Sequence, residues 1–334
     1  MDNKRPIDSM RNRGGHAEIG TSEDGAIMSM ENIGGRLIII KERSVYEVLM
    51  ADDIDPNRDN PNVPPSSQKL IIDLGTESEM FSRTFLTAQS LFKSAHLLPA
   101  IDIPSALWLT MELAQEIHVL DMETEEYIAA ETKAAAEYED RKNKRLDHAV
   151  PSIPDIKTRC KTIFQKADQA YQAQLALIRM FYPEFSLQSY YSQFTDFVDS
   201  KYGAQDPFTK FMRETLPFIL LVRHIRNCLD HRRTETDIKD FELQPDLSII
   251  SPTIEVNYLE SKLPRVSLTQ FLPSVSENLV AIFENIVAFL ASKNLKGNRI
   301  LPGEIRVIPE ARRRNKYIKF AYWSPIGEGG YYEQ

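Results

Sequence analysis

Asp206-Pro207-Phe208-Thr209, running on to Val222-Arg223-His224-Ile225-Arg226-Asn227-Cys228-Leu229-Asp230-His231, has the pattern of one long amphipathic helix with a marked start. An aspartate followed by proline is a helix start: the carboxylate accepts from the first free backbone N–H groups, and proline at the first helical position has none to leave unpaired. At about 100° per residue, Phe218, Val222, Ile225 and Leu229 fall on one apolar stripe. Arg223, Asn227 and His231 repeat every four residues and form a second stripe, with Arg226 between the two. The spacing therefore predicts an amphipathic helix that buries one side and presents a cation, an amide and an imidazole on the other.

Working outward, the same periodicity recurs. Phe81, Phe85, Leu86, Leu91 and Phe92 outline a helix before Pro99, and Pro104-Ser105 starts another that runs through Trp108, Leu113, Ile117 and Leu120 to about Arg145. Its second half sets Glu123, Glu125 and Glu126 before Arg141, Lys142, Lys144 and Arg145, an order that suits a helix dipole, and its length predicts a projecting arm with a solvated face. Ile156 to Phe181, Leu187 to Tyr202 and Leu268 to Leu295 complete the helices. Strands are expected at Arg36–Ile40 and Leu70–Leu74, which are read as a pair, at Glu304–Pro309 and Lys316–Trp323, and in a hairpin around Pro245-Asp246. The expected fold is mainly α, a helical bundle over 76–295 with a β-hairpin insertion near 239–256. A flexible arm at 1–35, a small β-containing segment at 36–75 and a β tail at 296–334 complete it.

Composition narrows the function. The 334 residues are 42% apolar and 26% charged, a globular balance, and the formal charge of −8 argues against a wholly basic nucleic-acid surface while leaving room for local basic patches. Two cysteines, Cys160 and Cys228, sit in helical patterns without ligand or disulfide spacing, which fits a reducing, cytoplasmic compartment. No secretory signal and no run of about 20 apolar residues is visible, so no membrane partner is expected. The chain also lacks a glycine-rich phosphate loop, a Gly-x-Ser-x-Gly elbow and histidines at metal-ligand spacing, so neither cofactor nor metal is expected.

The motif at the end of the helix carries the chemistry. Arg226-Asn227, with His231 separated from Arg226 by four residues, resembles the signature of HEPN domains: an arginine, usually followed by a polar residue, and a histidine four to six residues beyond the arginine, here at the end of a bundle helix. The resemblance implies a HEPN-like bundle. It also implies a homodimer with the motif in a shared cleft, and metal-independent cleavage of RNA in a toxin or defence setting with a separate antitoxin or regulatory chain. In that scheme Arg226, Asn227 and His231 are catalytic. RNA brings its own nucleophile, the 2′-hydroxyl. His231 would move protons near neutral pH, Arg226 would offer forked donors to the phosphoryl oxygens, and Asn227 would orient the histidine or the phosphate.

Arg223, Arg232 and Arg233 are the candidate RNA-binding residues, although cations at a helix C-terminus also complement its dipole. His224 adjoins the motif as a possible assistant or a satisfied interior histidine. The cations and aromatics of Arg312–Phe320 suit either a phosphate track or the edge of an exposed hairpin. The plainer alternative pairs Arg226 with Asp230 one turn on and leaves Asn227 and His231 to cap the helix, making the chain a non-catalytic helical protein that binds a partner protein or RNA.

Overall fold

Gly34 and Gly35 both have positive φ, 61° and 82°. They close a two-residue hairpin between paired Ile33 and Arg36, a turn whose central residues both need the left-handed region. In the computed structural model, which describes residues 5–12, 17–144, 149–185, 190–297 and 303–334, this hairpin sits in the first of two compact units, formed by 1–111 and 295–334; the second spans 112–294. The fold is helix-rich α+β, in keeping with the mainly α fold with short strands near both termini and a β-hairpin insertion that the sequence predicts.

In the first unit, helix α1 (Pro6–Arg11) precedes β1 (Ile27–Ile33), β2 (Arg36–Lys41), β3 (Val45–Met50), the single turn α2 (Ala51–Ile54) and β4 (Ser66–Ile72). The four strands form one antiparallel sheet in the order β1-β2-β3-β4, with Ile38, Ile40, Val45 and Ile72 buried. Two expectations change here. The arm expected over 1–35 contributes β1, and the strands at 36–40 and 70–74 do not pair with each other, because β3 lies between them. The half-polar run Val45-Tyr46-Glu47-Val48 gives a weaker strand signal than the triple isoleucine before it.

The helix outlined by Phe81, Phe85, Leu86, Leu91 and Phe92 is α3 (Glu79–Phe81), a π-helical turn (Ser82–Leu86) and α4 (Thr87–Leu91). Hydroxyls settle the wide turn: Thr84 Oγ1 donates to the Met80 carbonyl at 2.8 Å and Thr87 Oγ1 to that of Ser82 at 3.0 Å.

Helix α5 (Ile103–Asn143) opens with Asp102 accepting from the Ser105 N–H at 3.2 Å and runs on into the second unit. It is no projecting arm. Tyr127, Glu131 and Tyr138 are buried along its later turns, and the Tyr138 hydroxyl donates to the Leu247 carbonyl at 2.9 Å. Glu125, Glu126 and Arg141 remain solvated; Arg145 lies outside the described residues.

Helices α6 (Ile156–Phe181), α7 (Tyr191–Tyr202) and α8 (Pro207–Asp230) follow. Then come β5 (Thr236–Lys239), β6 (Glu242–Leu243), β7 (Ile249–Ile250), β8 (Thr253–Tyr258), β9 (Ser261–Ser267) and α9 (Leu268–Lys293). Helix α8 packs against α6, α7 and α9, around a core including Phe164, Ile178, Phe194, Val222, Ile225, Leu279 and Phe283. The expected hairpin is β6-β7, nested inside a larger insertion in which β5-β8-β9 form a sheet. Helix α9 is long and apolar enough to cross a bilayer by composition, and it is mostly buried within the second unit.

The tail returns to the first unit as β10 (Glu304–Val307), β11 (Phe320–Ser324) and β12 (Tyr331–Glu333), a three-stranded antiparallel sheet. Tyr322 is buried, with its hydroxyl donating to the Leu91 carbonyl, and Glu333 takes Lys93 at 2.7 Å and His96 at 2.8 Å.

Candidate active site

Helix α8 starts as its sequence dictates. Asp206 accepts from the Phe208 N–H at 2.9 Å, Pro207 follows at the first position, and Lys293 from α9 reaches Asp206 at 2.5 Å. Burial raises the Asp206 pKa, but Lys293 and the backbone N–H groups more than offset this and hold the carboxyl below its ordinary range.

At the other end His231 occupies the C-cap. Its N–H donates to the Asn227 carbonyl at 3.1 Å, Arg232 turns left-handed (φ 51°), and the Arg233 N–H reaches back to the Cys228 carbonyl at 2.9 Å. The bond from Arg233 is the six-to-one return that ends many helices, here with arginine in the left-handed position where glycine is usual. It leaves His231, Arg232 and Arg233 exposed.

Arg226 is half-buried and already engaged. Its Nε lies 3.0 Å from Asp230 Oδ2 and 3.8 Å from Asp168 Oδ2, while Nη1 donates to Asn227 Oδ1 at 3.1 Å. The Asp230 contact is an ion pair without hydrogen-bond alignment, since Nε finds no aligned acceptor. Asp230 is itself held from α6 by Lys161 at 3.1 Å and by Gln165 Nε2, which donates at 2.9 Å. Burial works to raise its pKa, and Lys161, Arg226 and Gln165 together bring it below the usual value. At Asp168 burial wins and the carboxyl is raised, against the pull of Arg223 and Arg226.

Arg223, one turn before Asn227, has its Cζ over the Tyr190 ring, 3.9 Å from the centre, and Arg233 stands 5.2 Å from the Tyr258 ring. Between α6, the start of α7, α8 and the β8-β9 turn lies a recess of about 260 Å³ lined by Asp168, Tyr190, Ile219, Arg223, His224 and Glu260, among others. His224 is an interior residue. It is buried, with Nδ1 2.8 Å from Ser261 Oγ and its ring edge-on to Tyr258, and burial lowers its pKa so that it is neutral at pH 7.

The structure thus brings Arg226 and Asn227 into contact, with His231 at the end of the same helix. It also places the Arg226–Asp230 pair where the plainer alternative expects it. The buried face is rotated from the expected stripe. Val222 and Ile225 are buried, but Phe218 and Leu229 are only half-buried, and Ile219, His224 and Cys228 go inside instead. The cause is that β5 and β9 as well as the helices pack on α8, so the buried arc is wider than one stripe.

Sequence reasoning missed Lys161, Gln165 and Asp168. Their four-then-three spacing on α6 was the available signal, since it places them on one face.

The tail arginines are spent on structure. Arg312 donates to the carbonyls of Gly329 (3.1 Å) and Gly330 (2.7 Å), Arg313 to that of Ile308 (3.0 Å) and Arg314 to that of Gln334 (2.9 Å), which favours the hairpin-edge reading over a phosphate track. Among the described residues no group of three or more His, Cys, Asp and Glu side chains is placed to hold a metal ion. Compared with known protein families, curated proteins and solved structures, the chain matches none.

Proposed function

We propose that this chain is a HEPN-like endoribonuclease that cleaves RNA by attack of the 2′-hydroxyl, without a metal, as a homodimer. The observation that carries the reading is the end of α8. There Arg226 and Asn227 are in hydrogen-bond contact at 3.1 Å, Arg226 bears a carboxylate 3.0 Å from Nε, and His231 is exposed one turn after Asn227.

Asp230 occupies the position on the guanidinium that a phosphoryl oxygen would take, so it stands in for substrate in the resting chain. RNA phosphate displaces it, and Lys161 and Gln165 keep the released carboxylate in place. His231 of one chain then takes the 2′-hydroxyl proton and the partner subunit's His231 protonates the leaving 5′-oxygen, while Arg226 neutralises the charge that builds on the phosphate. Arg232 and Arg233 hold the flanking backbone, and Arg223 contacts the RNA one turn before Asn227. The setting we propose is the cytoplasm, in toxin or defence duty, with a separate antitoxin or regulatory chain as the restraining partner.

The Arg226–Asp230 pair also favours a second reading, a non-catalytic helical protein that binds a partner protein or RNA. Incubating the purified protein with mixed RNA, with and without chelator, beside His231→Ala separates the two. Cleavage lost in His231→Ala supports the nuclease, and intact RNA with the wild-type chain supports the binding protein.

A further inference from the structure

The recess beside Arg223 differs in chemistry from the helix end below it. Arg226, Arg232 and Arg233 gather at the end of α8, whereas the recess, whose lining on α8 lies between Ile219 and His224, carries two carboxylates, Asp168 and Glu260, against one cation, Arg223. A phosphate is repelled there; a neutral group rich in N–H donors is not. At about 260 Å³ the recess is smaller than the roughly 300–1,000 Å³ pockets that enclose whole drug-sized ligands, so it suits a single planar group.

Its polar groups are not equally available. Asp168 is drawn toward Arg226 and Arg223, and the His224 ring is fixed through Nδ1 to Ser261. Glu260 stands exposed at the tip of the β8-β9 turn, next to Leu259 at φ 51°, and makes no hydrogen bond or ion pair with any other described residue. One wall is the Tyr190 ring with Arg223 Cζ over it, 3.9 Å from the ring centre, an aromatic and a guanidinium of the kind on which bases stack.

The geometry points to a guanine-binding recess in which the two Glu260 oxygens accept from N1–H and the 2-amino group while the ring lies against the Tyr190–Arg223 wall. Guanine alone among the four RNA bases offers two adjacent N–H donors on its Watson–Crick edge, matching a carboxylate's paired acceptors; adenine and cytosine each put an acceptor beside their donor, and uracil has one donor between two acceptors. The distance along α8 from Arg223 to Arg226 is about 4.5 Å and from Arg223 to His231 about 12 Å, a reach that puts the phosphate flanking such a base at the cationic end. The role of the recess as the selector of the cleaved sequence rests on the ribonuclease reading; its occupancy by guanine does not.

The test is calorimetric titration of the full chain with 3′-GMP, 3′-AMP, 3′-CMP and 3′-UMP, repeated on Glu260→Gln, Tyr190→Ala and His231→Ala, alongside sequencing of RNA cleavage ends. The expected result is 3′-GMP binding at least about tenfold tighter than the other three. Glu260→Gln should lose that preference, Tyr190→Ala should weaken all four nucleotides, and His231→Ala should keep the preference. Equal affinity for the four nucleotides, or a GMP preference unmoved by Glu260→Gln, overturns the inference. RNA cleavage without GMP selectivity sinks the recess and leaves the nuclease standing; GMP selectivity abolished by Glu260→Gln without any cleavage upholds the recess and removes the nuclease.

Discussion

Arg226 meets Asp230, Asp168 and Asn227 within 4 Å, and what each of these does to it separates a resting active site from a structural helix end. If Asp230 holds the place of a phosphoryl oxygen, Asp230→Asn should raise RNA affinity several-fold by removing the competing charge, with cleavage still dependent on His231. Filter binding at fixed salt reads this directly, and lower affinity in the variant would count against the substrate-mimic role. His231→Ala should reduce cleavage by at least about a hundredfold, the scale of a lost proton shuttle, and leave the thermal midpoint nearly unchanged because the side chain is exposed. Undiminished cleavage by the folded variant would remove His231 from the mechanism.

His224 makes a separate prediction about pH. Its folded pKa lies below the unfolded value of about 6.5 because burial outweighs the pull of Glu260 and is reinforced by Arg223. The unfolded chain therefore binds the proton more readily, and the contribution of neutral His224 is fully present above pH 6.5 and lost as pH falls through the folded pKa. Between pH 7.5 and 5.5 the thermal midpoint should drop more in the wild-type chain than in His224→Gln. An identical pH response in the two proteins would show that another group governs acid sensitivity.

Among the elements, α8 is decided by local sequence at both ends, and its start can be tested alone. Asp206→Ala removes the side-chain acceptor for the Phe208 N–H and the partner of Lys293, so it should cost about 1 kcal/mol for the cap, plus whatever the ion pair adds. Chemical denaturation should show this as a lower midpoint at constant slope, whereas an unchanged midpoint would mean that packing against α6, α7 and α9 alone holds the first turn. The long helices α5, α6, α8 and α9 were legible because each repeats its apolar residues over more than six turns. The strands β3 and β12 were not, since Val45-Tyr46-Glu47-Val48-Leu49-Met50 and Tyr331-Tyr332-Glu333 are short and mix polar with apolar residues. A strand of three to six residues carries too few alternations to announce itself, and its neighbours complete the hydrogen bonding that defines it.

For the whole molecule the prediction is assembly. One imidazole does not readily act as acid and base in the same turnover, so the nuclease reading requires two chains with their α8 ends facing. Light scattering at micromolar concentration should give a dimer, with an interface burying on the order of 1,200–2,000 Å². A strict monomer that cleaves RNA would refute the composite site. Cleavage should persist in excess chelator and leave 2′,3′-cyclic phosphate and 5′-hydroxyl ends, because attack by the 2′-hydroxyl uses no metal-bound water. Activity that vanishes in chelator and returns with a divalent ion would replace this mechanism.

Local sequence by itself determined the long helices, the cap at Asp206-Pro207, the glycine turn at Gly34-Gly35 and the contact of Arg226 with its own helix at Asn227 and Asp230. Each depends on residues within about one turn of one another, where backbone geometry leaves little choice. Tertiary structure alone decided that Lys161, Gln165 and Asp168 from α6 surround the motif, that His224 goes inside, and that Tyr190, Arg223 and Glu260 line one recess. Those residues lie tens of positions apart in the chain. The packing of α6, α7 and the β8-β9 hairpin on α8 sets which side of the helix is sheltered from water, and with it the charge state and partners of every polar group there.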